Sequence, residues 1–133
     1  MKAVKMQIGG KNGKPKVDIH ERTYRFALRV IKLVQELPKN MVAMELGRQL
    51  LRSATSIAAN IEEAQGGFSK QDFTYKVSIA FKEAKETNFW LRLICDAGIE
   101  GMNMEGENRA LIQESHELKN ILAKIVKTSK ERT

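Results

Sequence analysis

Four polar residues recur at helical spacing in the middle of the chain and could form a binding site. The row consists of Arg52, Ser56, Asn60 and Glu63. Its members are spaced by four, four and three residues, so they lie on one face of a helix. Such a row could bind a ligand or nucleic acid, or it could be a hydrogen-bonded seam between helices or subunits. We favour the seam, because small residues crowd the same turns and Glu63 would repel phosphates.

A second row is basic and could bind phosphate groups. Spaced by three, four and three residues, it consists of Arg22, Arg25, Arg29 and Lys32. Residues 1–37 hold nine Lys/Arg against three Asp/Glu, so they carry +6 of the chain's net charge of +7. Only Glu21 and Glu36 oppose the row within its own helix, so we expect its cations to be exposed. Clustered charge favours an anionic partner over the alternative of a solvated helix face. The expected partner is a nucleic-acid backbone, with RNA the leading ligand.

No arrangement of residues predicts catalysis or a metal site. The two histidines, His20 and His116, have no partners at the spacing of a catalytic triad or a metal centre. Glu83 and Glu86 lack the Glu-x-x-His pair of a carboxylate-bridged metal bundle, so we expect no cofactor. The single cysteine, Cys95, is expected to be a buried thiol with a raised pKa. With no signal peptide or membrane span in the sequence, we expect a cytoplasmic protein.

Four helical segments must position these residues. We expect a flexible basic tail over 1–17, in which residues 1–7 could instead form an edge strand, and a helical domain over 18–133. The first helix starts at Asp18 or His20 and stops at Pro38, and the second covers about 41–65 after Asn40. Ser69 and Asp72 resemble a capping box that opens the third helix, which Gly98 ends. The last helix is expected to start at Asn103 or Glu105 and to fray near Lys127.

The short turn near Gly67 predicts which residues of the second and third helices lie opposite one another. The two helices must run antiparallel, so opposed residues have numbers that sum to about 135. Arg52 then faces Glu83, with Glu86 one turn away. We therefore expect Arg52 to be largely buried and paired with one of these carboxylates, because an unpaired buried charge is very costly. The same register places Ser56 and Asn60 in the helix interface, opposite Ile79 and Tyr75.

An ordered set of motifs in this helical region resembles a known family. The run Arg-Ser-x-x-Ser-Ile-x-x-Asn-Ile-x-Glu-Ala begins at Arg52, and Ser69-Lys70-x-Asp72-Phe73 and Lys82-Glu83-Ala84-x-Glu86-Thr87-x-x-Trp90-Leu91 follow it. The set resembles the bacterial four-helix-bundle family, also called the 23S rRNA intervening-sequence proteins, over about residues 20 to 127. The resemblance implies an all-α, up-and-down antiparallel four-helix bundle that assembles into a ring-like homo-oligomer, typically a pentamer. One branch of the family resembles the accessory protein of diversity-generating retroelements, a basic barrel that binds reverse transcriptase and nucleic acid.

The aromatic pair Phe89-Trp90 could stack bases, but we favour a role in the core or in an oligomer interface, because buried aromatic residues commonly anchor such contacts. Taken together, these patterns predict a non-enzymatic homo-oligomeric bundle that binds nucleic acid through phosphate contacts. One alternative is a scaffold that recruits a protein such as a polymerase or reverse transcriptase. Another is an assembly protein whose charge serves only solubility.

Overall fold

In the computed structural model four helices follow one another, after a short strand pairing. The structure describes residues 7–8, 17–66, 69–99, 102 and 106–132. Its elements are β1 (Gln7–Ile8), β2 (Val17–Asp18), α1 (Ile19–Gln35), α2 (Met41–Gln65), α3 (Lys70–Asp96) and α4 (Gly106–Glu131). The expected all-α fold is confirmed, since the two strands are a local antiparallel pair of two residues each.

The helix starts follow from capping residues that the sequence displays. The side chains of Asp18, Asn40 and Ser69 each accept a hydrogen bond from the backbone N–H three residues later. These bonds satisfy donors that have no partner inside a helix. The first three predicted starts are therefore confirmed. Gly98, with a φ of +72°, follows the end of α3, as expected for a residue that tolerates the left-handed region.

Two expectations at the chain ends differ from the structure or lie outside it. α4 begins at Gly106, and the predicted start residues, Asn103 and Glu105, lie outside the described residues. The predicted fraying near Lys127 is wrong, because α4 continues to Glu131. Most of the predicted tail, residues 1–17, also lies outside the described residues, so the division into tail and helical domain stays a prediction. Residues 7–8 of this segment pair with residues 17–18.

The four helices pack around one apolar core in the order expected for an up-and-down bundle. α1 packs on α2, α2 on α3, α3 on α4, and α4 returns to α1. The largest fully buried side chains include Phe26, Val30, Leu50, Ile57, Ile61, Leu91, Ile94, Leu111, Leu118 and Leu122. Consecutive helices alternate in direction, so α1 and α3 begin at the end of the bundle where α2 and α4 finish. We call this the tail end, because the N-terminal segment joins α1 there.

Candidate nucleic-acid interface

The basic row of α1 meets carboxylates from α4. Arg22 donates through Nε to Glu114 Oε2 at 2.7 Å and through Nη2 to Glu114 Oε1 at 2.7 Å. The same Nη2 lies 3.0 Å from Glu117 Oε1. These hydrogen bonds, above all those to Glu114, raise the pKa of Arg22 although partial burial opposes the shift. A bidentate pair of this kind holds the guanidinium against α4 rather than free in solvent.

Arg29 repeats the arrangement two turns later. Its Nε and Nη2 donate to the two carboxylate oxygens of Glu107 at 3.0 and 2.7 Å. The hydrogen bonds from Arg29 are the main reason that the pKa of Glu107 lies below its ordinary value. The expectation that these cations are exposed and opposed only from within α1 is therefore wrong for Arg22 and Arg29. Their partners share one face of α4, but nothing in the spacing of α1 could reveal that this face meets the basic row.

The other two members of the row remain on the surface. Arg25 is exposed and lies 2.7 Å from Glu21, one turn away on the same helix. Lys32 is exposed, and within the described part of the chain it forms no ion pair. Half of the predicted stripe is thus available to solvent. A role for Arg22, Arg25, Arg29 and Lys32 in nucleic-acid binding stays a prediction.

A second group of cations lies at the tail end, and sequence reading did not single it out. Lys70 begins α3, while Lys124 and Lys127 lie in the last turns of α4, and all three are exposed. In the region that the structure describes, none of the three forms an ion pair. The lysine-rich segment before α1 joins the bundle at this same end. The sequence does contain a signal for this group, a run of cations near residue 130. It is easily missed, because acidic residues in the same segment reduce the net charge of residues 102–133 to +1.

The predicted seam between α2 and α3 forms, although its central residue is less buried than expected. Arg52 donates through Nη1 to Glu83 Oε2 at 3.0 Å and through Nη2 to Glu86 Oε1 at 2.7 Å. The antiparallel register deduced from the turn is therefore correct. The burial is not, because the Arg52 side chain is 51% exposed while that of Glu83 is 9% exposed. A long arginine side chain can reach its partners from the rim of the interface, so about half of the Arg52 side chain stays in solvent.

The remaining seam residues all lie on α2, but their hydrogen-bond and ion-pair partners lie on different helices. Asn60 Nδ2 donates to Ser56 O at 2.9 Å and to Ser56 Oγ at 3.1 Å, so both bonds stay within α2. Asn60 is hydrogen-bonded as expected, but the partner of this side chain is its i−4 neighbour on α2 and not a residue of the third helix. Glu63 does reach α3, where Lys76 Nζ lies 2.8 Å from its carboxylate.

A buried hydroxyl pair also links α2 and α3, and sequence reading missed it. Thr87 Oγ1 lies 2.9 Å from Ser53 Oγ, and both residues are fully buried. The only available signal was that small polar residues take core-facing positions of each helix. The pair lies in the interior, so it belongs to packing and not to a binding surface.

The aromatic pair on α3 spans the surface and the core. Phe89 is 45% exposed, whereas Trp90 is partly buried and packs against the core. Their rings meet edge to face with centroids 5.0 Å apart. Trp90 is therefore primarily a packing residue, and Phe89 presents the exposed surface. Their place in an oligomer interface stays a prediction.

An apolar groove runs between α1 and α2. Tyr24 is 59% exposed and Leu28 is 51% exposed, and both line the groove from α1. Thr55, Ala58 and Ala59 line it from α2, so the backbone of a partner could approach closely. These are among the small residues whose crowding in the sequence indicates close helix contacts. Exposed apolar side chains also lie around Phe89 on α3, at Tyr75 and at the start of α2, where Met41, Val42 and Met44 face solvent.

Among the described residues, the side chains that can ligate a metal ion do not converge. Over the described residues, no group of three or more His, Cys, Asp or Glu side chains could hold a metal ion. His20 Nε2 lies 3.0 Å from Glu62 Oε1 and joins the start of α1 to the end of α2. Cys95 is buried, and burial, with a smaller contribution from Asp96, raises the pKa of its thiol as expected. None of the helices within the described ranges combines the length and apolar character needed to cross a bilayer.

Comparisons with known proteins agree with this architecture. The family model described as 23S rRNA-intervening sequence protein matches residues 15–127. A crystal structure of a protein of unknown function from the S23 ribosomal protein family of Bacteroides thetaiotaomicron is 35% identical, with a TM-score of 0.72. The match covers 82% of this chain and 98% of that chain. Among curated proteins the comparison finds no match.

Proposed function

The chain belongs to the 23S rRNA-intervening sequence protein family, and we propose that it is a non-enzymatic, homo-oligomeric helical bundle that binds nucleic acid through phosphate contacts. RNA is the leading ligand. The observation that carries the proposal is the charge of Lys70, Lys124 and Lys127 at the tail end, which are exposed and form no ion pair with any residue that the structure describes. Phosphate binding needs cations that are not already neutralised, because the gain comes from releasing the counterions of the nucleic acid.

The location of the proposed interface follows from comparing the two basic surfaces. On α1, Arg22 and Arg29 would have to leave carboxylate partners at 2.7 Å before they could bind a phosphate. Lys70, Lys124 and Lys127 have no such carboxylate partner among the described residues. Five further lysines precede α1 in the sequence, within residues 1–17, and we propose that they add to the attraction of a polyanion to this end. The tail end is therefore the first place where a polyanion would dock, with Arg25 and Lys32 as secondary contacts.

The test is fluorescence anisotropy with labelled RNA and DNA at low and moderate salt. The variant K70Q/K124Q/K127Q removes the three tail-end cations. Its matched control is K39Q/R92Q/R109Q, which removes three exposed cations toward the opposite end of the bundle. We expect weaker binding only for the tail-end variant. If both variants lose the same affinity, the binding depends on net charge and not on the tail-end site. If the wild type does not bind at low salt, the proposal is overturned.

We further propose that the protein forms a closed ring of identical subunits, most simply the pentamer that the family resemblance implies. A ring built from head-to-tail contacts uses two different surfaces of each subunit. The α1–α2 groove and the exposed Phe89 region supply two apolar surfaces on different helices. In a ring, the tail-end cations of every subunit would act together on one polyanion.

Light scattering tests the assembly. L28E places a charge in the α1–α2 groove and should dissociate the oligomer, because a carboxylate buried at a contact loses its hydration. Y75E changes an exposed residue of α3 outside the groove and is the matched control. A wild-type monomer at all concentrations would contradict the proposal. A different protein could instead co-purify with the wild type after nuclease and high-salt treatment. If L28E loses that protein, the groove belongs to a scaffold that recruits it.

A further inference from the structure

A pocket between the start of α3 and the end of α4 combines cations with an apolar wall. It has a volume of about 460 Å³, within the range of small-molecule sites. Lys70 lines it from α3, and Lys124 and Arg132 line it from the α4 side. Phe73 and Ile125 supply the apolar wall. We call this the α3–α4 pocket.

The walls of the α3–α4 pocket are fixed by a hydroxyl contact between the two helices. Ser129 is buried, and its Oγ makes a close hydrogen-bonding contact with Thr74 Oγ1. Thr74 Oγ1 also donates to the Lys70 carbonyl oxygen at 2.9 Å. The first turn of α3 is thereby tied to the last turns of α4. Thr128, beside this contact, also lines the pocket.

The charge of the α3–α4 pocket distinguishes it from a basic pocket at the opposite end of the bundle. A pocket of about 410 Å³ near the start of α4 contains Arg29 and Lys32, but Glu36 and Glu107 line it as well. Arg29 is paired with Glu107 there. Among the described residues that line the α3–α4 pocket, none is Asp or Glu. Its cations therefore face the cavity without a built-in counterion.

We propose that the α3–α4 pocket binds an unpaired nucleotide of a single-stranded nucleic acid, a ligand class that deepens the proposed function and rests on it. A nucleotide joins a phosphate, which suits the three cations, to a flat aromatic base, which suits an aromatic wall. Base–aromatic stacking tolerates every sequence, because each base has a π-face. A base inside a duplex is already stacked and paired, so the pocket selects single strands over duplexes.

The experiment compares a short labelled single-stranded RNA with the duplex of the same sequence. F73L removes the aromatic wall and should weaken single-strand binding about tenfold, as expected for one lost stacking contact, while leaving duplex binding unchanged. Y75L removes an exposed aromatic ring of α3 that lies outside the pocket, and it should bind both RNAs as the wild type does. Adenosine monophosphate should displace the single strand better than inorganic phosphate at equal concentration.

Phe73 packs against the core, so a second variant guards against a loss of folding. T128E places a carboxylate among the pocket cations and should weaken single-strand binding with little change in thermal stability. If F73L and T128E both fold and bind the single strand as tightly as the wild type, the pocket inference is overturned and phosphate binding at the tail end survives. If the wild type binds neither RNA, both proposals fall.

Discussion

Replacing Arg52 by alanine tests how the α2–α3 seam contributes to stability. Arg52 makes two charge-assisted hydrogen bonds, to Glu83 at 3.0 Å and to Glu86 at 2.7 Å. The Glu86 bond lies at the surface, where such pairs contribute up to about 1 kcal/mol. The Glu83 bond differs, because alanine would leave a nearly buried carboxylate without its guanidinium, at a cost of about 1–3 kcal/mol.

The expected loss for R52A is therefore about 1–3 kcal/mol, below the ~3–5 kcal/mol of a fully buried pair, because half of the Arg52 side chain is in solvent. Urea denaturation at one fixed protein concentration measures it, since assembly would make stability depend on concentration. R48A is the matched control, because Arg48 pairs with Glu45 on the exposed face of α2, where solvent screens the pair, and should cost less stability than R52A.

The double variant R52A/E83Q should recover part of the loss, since glutamine removes the charge that R52A leaves without its partner. The reasoning is refuted if R52A costs no more than R48A. It is equally refuted if R52A/E83Q is less stable than R52A alone.

Three further predictions concern the backbone, the ion pairs and the thiol. G98A should cost about 1 kcal/mol in thermal unfolding, because φ at Gly98 is +72°, whereas the control G66A, at φ −96°, should cost less. The Arg29–Glu107 pair lowers the pKa of Glu107 from 4.5, so the pair stabilises the fold above that pH and ceases to do so as the pH falls below it. E107Q should therefore be less stable than the wild type at pH 7 by up to about 1 kcal/mol, and this difference should shrink toward pH 3. A difference that stays constant with pH would contradict this. Cys95 should react with a thiol reagent at pH 7 far more slowly in native than in urea-unfolded protein, and equal rates would show that it is not protected by burial.

The helices and the seam register were predictable because each rests on local signals. Capping residues and helical periodicity determine where α1, α2 and α3 begin. A short turn then forces antiparallel pairing, so the contact between Arg52 and Glu83 follows from arithmetic on residue numbers. The exposure of Arg52 did not follow, because burial depends on how far the helices splay at the rim, and no local pattern reports that distance.

The candidate binding surface was harder to predict, because it depends on contacts between helices distant in sequence. Arg22 and Glu114 are 92 residues apart, and helical spacing alone cannot show that their faces meet. Conversely, the tail-end lysines belong to helix ends that look ordinary in a segment of nearly balanced charge. Only the folded bundle brings Lys70 and Lys124 to one pocket, where neither has a carboxylate partner among the described residues.

The salt dependence of RNA binding tests the central claim most directly. For a single strand, the slope of log K against log salt falls by about 0.7 for each phosphate-binding cation removed. If Lys70, Lys124 and Lys127 each contact a phosphate, K70Q/K124Q/K127Q should therefore flatten the slope by about 2 relative to the wild type. The control K39Q/R92Q/R109Q should keep the wild-type slope. Identical slopes for the wild type and the tail-end variant would contradict the account.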